Sequence, residues 1–283
     1  MSLGLALAGG GLKGIAYIGA LKALEELGIK PNYLSATSSG SMFASFYAMG
    51  FTPEEMKSKT SKYYKMLTSL DKMPIIKAGV TYAISGIAKV QGIMPGDRIS
   101  NMIEELAHEK NIFNMNEIKI NYAVCTVDTI TTNECIFLSK ECGKKDEYVD
   151  YIYDAPISLA TRASMSFPGV FTPCNYGKYN FIDGGTKDNL PVKILKNMGA
   201  DKILALNFKI DEYVPREDIF AVLLRAVDIF SLEDVRNAQK LADLSIEIDA
   251  AGTGLLVIDN FDKLVQIGYD TIMENKEKIL NLV

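Results

Sequence analysis

Hydrophobic positions along the 283-residue chain fall into short continuous runs that alternate with segments of helical spacing. Residues 3–8 are almost wholly apolar, the pattern of a strand buried on both faces of a parallel sheet. A glycine-rich turn follows, Gly9-Gly-Gly-Leu-Lys-Gly14, and then Ile15, Ile18, Leu21, Leu24 and Leu27 recur at helical spacing up to Gly28, a residue suited to a helix C-terminus. Residues 33–38 read as a second short strand. Beyond it, Met42, Phe43, Phe46, Tyr47 and Met49 make a helix that is apolar nearly all round, and therefore central, ending at Gly50. Thr52-Pro53-Glu54-Glu55 combines an N-cap, a proline at the first helical position and a capping glutamate, opening a helix to about residue 67.

Residues 72–96 are apolar, sparsely charged and broken by glycines, which fits either a helical excursion over a sheet edge or a lid or interfacial surface touching a membrane. Asp97 opens a helix with Ile99, Met102, Ile103 and Leu106 inward. Residues 119–126 and 134–138 read as two strands of an antiparallel hairpin, 140–147 as a charged surface loop, and 154–166 as a helix. A short strand ends at Asp183. The alternation then resumes with a helix over 191–198, a strand over 202–208, helices over 216–230 and 232–244, a strand over 245–249 and a helix over 261–282. With no linker or repeat interrupting it, this pattern predicts one α/β domain over residues 1–283 with a mainly parallel sheet.

Composition narrows the function classes. A hydrophobic content of 48% with 23% charged residues is that of a packed globular chain. The net charge of −5 argues against general nucleic-acid binding and against electrostatic docking on anionic lipid, so membrane contact would be local and apolar. Cys125, Cys135, Cys142 and Cys174 have no C-x-x-C spacing and there is a single histidine, so buried free thiols in a reducing compartment are expected rather than a Cys/His metal site. The N-terminus lacks a basic region and runs straight into the glycine motif, so it reads as a first strand and not a signal peptide. No run reaches the roughly 18 apolar residues of a membrane span. A cytoplasmic location, at most peripheral to a membrane, is the expectation.

Candidate chemistry sits at three places. In Ala36-Thr37-Ser38-Ser39-Gly40 a serine lies between a strand and a small-residue helix, as in a nucleophile elbow. The loop Gly9-x-Gly11-x-x-Gly14 has three readings: a dinucleotide fingerprint, an oxyanion hole, or a tight turn with no chemistry. The acidic residue that would bind ribose is missing from residues 33–38, and a serine ends that strand instead, which shifts weight to the oxyanion reading. Asp183 stands at a strand end before two glycines, Asn180-Phe-Ile-Asp-Gly-Gly, a place that fits either a positioned carboxylate or a simple turn. His108 lies about half a turn round its helix from the inward-facing Ile99, so it is expected in solvent. A Ser-His-Asp triad is then not available.

Four stretches in this order resemble the patatin-like phospholipase family: Gly9-Gly-Gly-Leu-Lys-Gly14, Ala36-Thr-Ser-Ser-Gly40, Arg162-Ala-Ser-Met-Ser-Phe-Pro-Gly-Val-Phe-Thr-Pro173, and Asp183-Gly-Gly with Asn189-Leu-Pro191. The resemblance spans about residues 4–195, leaving 196–283 to complete the domain. It implies a three-layer α/β/α fold and hydrolysis of acyl esters in phospholipids, galactolipids or related lipids, with no metal or cofactor. By the same resemblance Ser38 is the nucleophile and Asp183 its partner in a dyad without histidine. Gly9, Gly10, Gly11 and Gly14 form the oxyanion loop, with Lys13 in the place of the family's basic residue. Ala36 stands where the elbow usually has glycine, and its methyl group is expected to crowd the strand-to-helix packing. A nucleotide-binding α/β enzyme and a non-catalytic lipid- or partner-binding member of the same fold are the competing readings.

Overall fold

A computed structural model describes residues 1–68, 92–94, 96–210, 219–250 and 261–283. The lid or membrane-contact segment expected over 72–96 lies outside these residues except for 92–94 and 96.

The strands are β1 (Leu3–Leu7), β2 (Tyr33–Thr37), β3 (Gly92–Met94), β4 (Asn121–Asp128), β5 (Glu134–Leu138), β6 (Val149–Ile152), β7 (Gly169–Phe171), β8 (Cys174–Tyr176), β9 (Tyr179–Asp183), β10 (Lys202–Phe208) and β11 (Leu244–Ile248). The central sheet runs β11-β10-β1-β2-β4-β5-β6, with β9 added to β4 and β8 to β9, while β3 and β7 form a separate pair. Neighbours from β11 to β4 are parallel, as are β5 and β6, and the β4–β5 hairpin is antiparallel.

The helices are α1 (Ala16–Glu26), α2 (Ser39–Ala48), α3 (Pro53–Thr68), α4 (Asp97–Lys110), α5 (Ile157–Ser164), α6 (Val192–Met198), α7 (Ile219–Leu241), α8 (Phe261–Glu274) and α9 (Lys276–Leu280). Side chains alternate across each strand. Leu5 and Leu7 of β1 therefore join Leu34, Val124 and Leu204 in a large core beneath α1, α2, α4, α5 and α8, with Leu21, Phe46, Ile103, Ala160 and Leu264 packed there. Ala6 and Ala205 face the other way, onto Val192 and Leu195 of α6 and Val235 and Ala238 of α7. Both faces of the sheet are covered, which is why its strands read as continuous apolar runs. The architecture is the three-layer α/β/α arrangement.

At the α1–α8 crossing the backbones touch. A Cβ on Gly19 would stand 1.8 Å from the Val265 carbonyl oxygen, and one on Gly268 1.8 Å from that of Ala16.

Several element boundaries differ from expectation. The two helices expected over 216–230 and 232–244 are one helix, α7, because Phe230-Ser231-Leu232 contains no glycine or proline to break it. Helix α5 starts after Pro156, which disfavours a helical Ala155, so residues 154–156 are not helical. The last helix is divided at Asn275. The charged loop over 140–147 hides a buried Cys142.

Candidate active site

Ser38 joins β2 to α2 with φ 52° and ψ −129°, a conformation L-residues seldom adopt. The turn is held from both sides. The Ser38 N–H donates to Ser164 Oγ at 2.9 Å, and Ser164 Oγ donates to the Cys125 carbonyl at 2.7 Å. The Ser38 carbonyl accepts from the Ser41 amide at 2.8 Å and the Ser41 hydroxyl at 2.6 Å. Strand and helix meet at Gly40, where a Cβ would lie 2.5 Å from the Leu7 carbonyl oxygen and 2.7 Å from that of Ala8. Ala36 is fully buried, with its methyl group in the large core.

Asp183 reaches Ser38 through sheet topology. One edge of β4 pairs with β2 over residues 121–125 and then with β9 over 126–128, while β5 occupies the opposite edge. Where β2 ends, β9 begins, and its last residue faces the elbow. Asp183 Oδ2 accepts a hydrogen bond from Ser38 Oγ at 2.5 Å, and Oδ1 accepts from the Gly185 N–H at 2.8 Å. The carboxyl group is wholly buried. Burial pushes its pKa up to about 7, against the downward pull of the Ser38 and Gly185 hydrogen bonds. His108 is exposed on α4 with its ring centroid 4.9 Å from that of Phe113.

The glycine loop lies directly on the serine. A Cβ on Gly9 would come within 2.8 Å of Ser38 Cβ, and one on Gly10 within 2.3 Å of the Phe208 ring. Some of its amides are already engaged: Gly9 N–H donates to the Asn189 carbonyl, Gly10 N–H to Ser39 Oγ at 3.1 Å, and Lys13 N–H to the Gly10 carbonyl. A short 3-10 helix over Gly11–Ile15 follows, with Gly11 at φ 59°. The first amides of such a helix, Gly11 and Leu12, have no acceptor within it. Gly9, Gly10, Gly11 and Leu12 line the cavity above Ser38, whereas Lys13 and Gly14 stand outside that lining. Gly14 instead makes room for Ser39, whose Oγ would be 2.7 Å from a Cβ there.

The cavity has a volume of about 160 Å³ and its walls include Met42, Phe43, Ile99, Met165, Val170 and Phe171. Arg162, buried in α5, braces one wall by donating to the Thr172 carbonyl and hydroxyl and to Ser166 Oγ. Burial lowers the Arg162 pKa from its ordinary value. Ser164, Ser39 and Asn189 were not assigned roles from sequence. The serine at 164 falls inside the Arg162–Pro173 stretch, but only the folded chain shows that it holds the elbow amide.

Among the described residues, Cys125, Glu134 and Asp188 are the group able to offer three ligand atoms to a metal, all within 4.8 Å of one another. Burial, reinforced for Cys125 and Asp188 by the neighbouring Glu134, drives these groups toward their neutral forms.

The family model for patatin-like phospholipase matches residues 5–196. Lysophospholipase NTE1 of Debaryomyces hansenii is 30% identical over 219 residues, covering 76% of this chain and 12% of that protein. Lysophospholipase nte1 of Aspergillus oryzae is 27% identical over 308 residues, covering 98% of this chain and 18% of that protein. The chain thus spans less than a fifth of the length of these curated relatives. Among solved structures, VipD from Legionella pneumophila superposes with a TM-score of 0.52 at 16% identity, covering 98% of this chain and 67% of VipD, a likeness of fold. The strained Ser38 elbow, the glycine loop and Asp183 all fall inside the matched segment, and the chain belongs to the patatin-like phospholipase family.

Proposed function

We propose that this chain is a serine-dependent lipid acyl hydrolase, with a carboxylic ester of a phospholipid or lysophospholipid as substrate. The observation that carries the reading is the 2.5 Å hydrogen bond from the strained Ser38 to the fully buried Asp183, at the floor of an apolar cavity. The lysophospholipase names of the NTE1 relatives supply the lipid class.

Ser38 Oγ attacks the ester carbonyl carbon while its proton passes to Asp183 Oδ2. An ordinary carboxylate is a poor base for a hydroxyl. Burial makes Asp183 a stronger one, which brings its pKa into the range useful near neutral pH. The carbonyl oxygen gains negative charge and is held by the amides of the glycine loop, Gly11 and Leu12 first, since those of Gly9 and Gly10 already have acceptors. Collapse of the tetrahedral intermediate breaks the bond to the alcohol, which takes the proton back from Asp183. Water then repeats the sequence on the acyl-enzyme, releasing the fatty acid and restoring Ser38.

The elbow also weighs against a nucleotide site on the same loop: Gly9 packs on Ser38, and β2 ends without a ribose-binding carboxylate. A fluorophosphonate probe tests the reading directly. The expected result is stoichiometric labelling of Ser38 and hydrolysis of a p-nitrophenyl acyl ester, both lost in Ser38→Ala. Turnover that survives in folded Ser38→Ala overturns the mechanism, and lipid binding without labelling or turnover in the unaltered chain would favour a non-catalytic binding role.

A further inference from the structure

Cys125 on β4, Glu134 on β5 and Asp188 in the loop after β9 meet on the sheet face that carries α6, where Cys125 packs with Ile136, Leu138 and Ile194. None of the three lines the cavity above Ser38. Their ligand atoms, one thiol sulfur and two carboxyl oxygens, all lie within 4.8 Å of one another. Thr37 Oγ1 donates to the Asp188 carbonyl at 2.8 Å and so fixes that residue against the end of β2. A separate observation concerns Glu134: its Oε1 is covered from solvent and has no hydrogen-bond partner among the described residues. The Cys125 thiol donates to the same carboxyl group, so the orphaned oxygen belongs to a group already turned into the cluster. The two nearest lysines do not supply the missing donor. Lys187 Nζ donates to the Thr132 carbonyl, and Lys193 pairs with Asp146 at 3.1 Å.

Without their protons a thiol and two carboxyl groups are acceptors only, and a cation is the one group that satisfies three such atoms at once. The sulfur selects the ion. Thiolate suits Zn²⁺, whereas Mg²⁺ and Ca²⁺ take oxygen ligands. We infer that Cys125, Glu134 and Asp188 form a Zn²⁺-binding site, with water in the fourth position. Glu134 and Asp188 each keep part of their surface at the solvent boundary, which gives the ion a way in. On binding, the protons of the thiol and the carboxyl groups pass to bulk water, and the carboxyl groups turn to close the remaining distance. The ion ties β4 and β5 to the loop that follows Asp183. That loop also carries Asn189, whose carbonyl accepts from the Gly9 N–H, so the tie braces the segment between the buried carboxylate and the glycine loop. Zn²⁺ binding here is independent of what Ser38 does.

The full chain, stripped of metal with a chelator, is titrated with Zn²⁺ and, as a spectroscopic probe, with Co²⁺. The expected result is about one equivalent bound, a thiolate-to-cobalt charge-transfer band, and a melting temperature that rises until that equivalent is filled. Cys125→Ser abolishes the band. Glu134→Gln and Asp188→Asn each weaken Zn²⁺ binding at least about tenfold and keep the band. Cys174→Ser, whose sulfur belongs to the large core on the other face of the sheet, changes neither. Absence of saturable binding, a cobalt spectrum without the thiolate band, or an affinity indifferent to both carboxyl variants overturns the site. Should Cys125→Ser fail to fold, the two carboxyl variants decide by themselves, since they keep the thiol in the core and change only groups at the solvent boundary.

Discussion

Thr37 and Asp183 occupy consecutive places along one edge of β4: Thr37 stands opposite Cys125, and Asp183 opposite Thr126. One arrives on a parallel strand from below and the other on an antiparallel strand from above, so the two chain ends converge on one point. The residue that follows Thr37 is Ser38, and its hydroxyl bonds to a carboxylate 145 residues away in sequence. Backbone pairing to a shared neighbour sets this distance.

Asp183→Asn removes the proposed base while preserving the shape of the site. Hydrolysis of a p-nitrophenyl acyl ester is expected to fall by at least about 10³-fold in a protein with an unchanged circular dichroism spectrum, the scale seen when a dyad or triad carboxylate is lost. Activity within tenfold of the unaltered protein would remove Asp183 from the mechanism.

The pH dependence follows from the buried carboxyl group. Its pKa of about 7 means that the base form is lost as pH falls, so log kcat/KM should drop with unit slope below about pH 7. Stability moves the opposite way. The folded-state pKa is raised above the unfolded value of 3.8, so the unfolded chain releases this proton first, and stability is lost as pH rises from about 4 to about 7. The full effect is on the order of 4 kcal/mol. Asp183→Asn should therefore melt higher than the unaltered protein at pH 8, with the gap closing toward pH 4; a gap independent of pH contradicts the raised pKa.

Ser164→Ala withdraws the acceptor of the Ser38 N–H while touching neither reacting atom. Losing one hydrogen bond that holds a strained turn should lower kcat about tenfold with KM little changed. Steady-state kinetics on Ser164→Ala is the deciding measurement, and an unchanged kcat would remove Ser164 from the support of the elbow.

Elbow packing can be tested by exchanging one methyl group at two positions. Gly40→Ala drives a Cβ to 2.5 Å from the Leu7 carbonyl oxygen and should cost about 1–3 kcal/mol in urea unfolding, with loss of activity. Ala36→Gly should cost about 1 kcal/mol through lost burial and backbone freedom, without raising activity. A gain in activity on Ala36→Gly would show instead that this methyl group crowds the nucleophile.

The α1–α8 crossing packs α8 directly against the helix that follows the glycine loop. Gly268→Val places side-chain atoms into the Ala16 backbone, where even a Cβ would sit 1.8 Å from an oxygen, and should cost more than about 3 kcal/mol or prevent folding. A melting temperature within a degree or two of the unaltered protein would show that α8 does not pack as described.

Much of this arrangement was legible in the sequence because local rules govern it. The apolar runs of β1, β2 and β10 could only be buried strands, and the Thr52–Glu55 capping box forms reciprocally, with the Thr52 N–H donating to Glu55 and the Glu55 N–H to Thr52 Oγ1. Ser38, Asp183 and the glycine loop were recognisable as motifs. Less legible were β6, β7 and β8, three- or four-residue strands whose partners lie elsewhere in the chain, and the unbroken course of α7, where helix ends depend on neighbours as much as on composition.

By itself the sequence determined which residues could do chemistry and which segments had to be buried, since residue type and hydrophobic period are local properties. Tertiary structure alone decided that Asp183 meets Ser38, that Gly40 bears a close strand-to-helix contact, that Gly9 and Gly10 have their amides engaged, and that Ser164 holds the turn. Each of these depends on strand register or helix crossing, which bring together atoms that no local pattern relates.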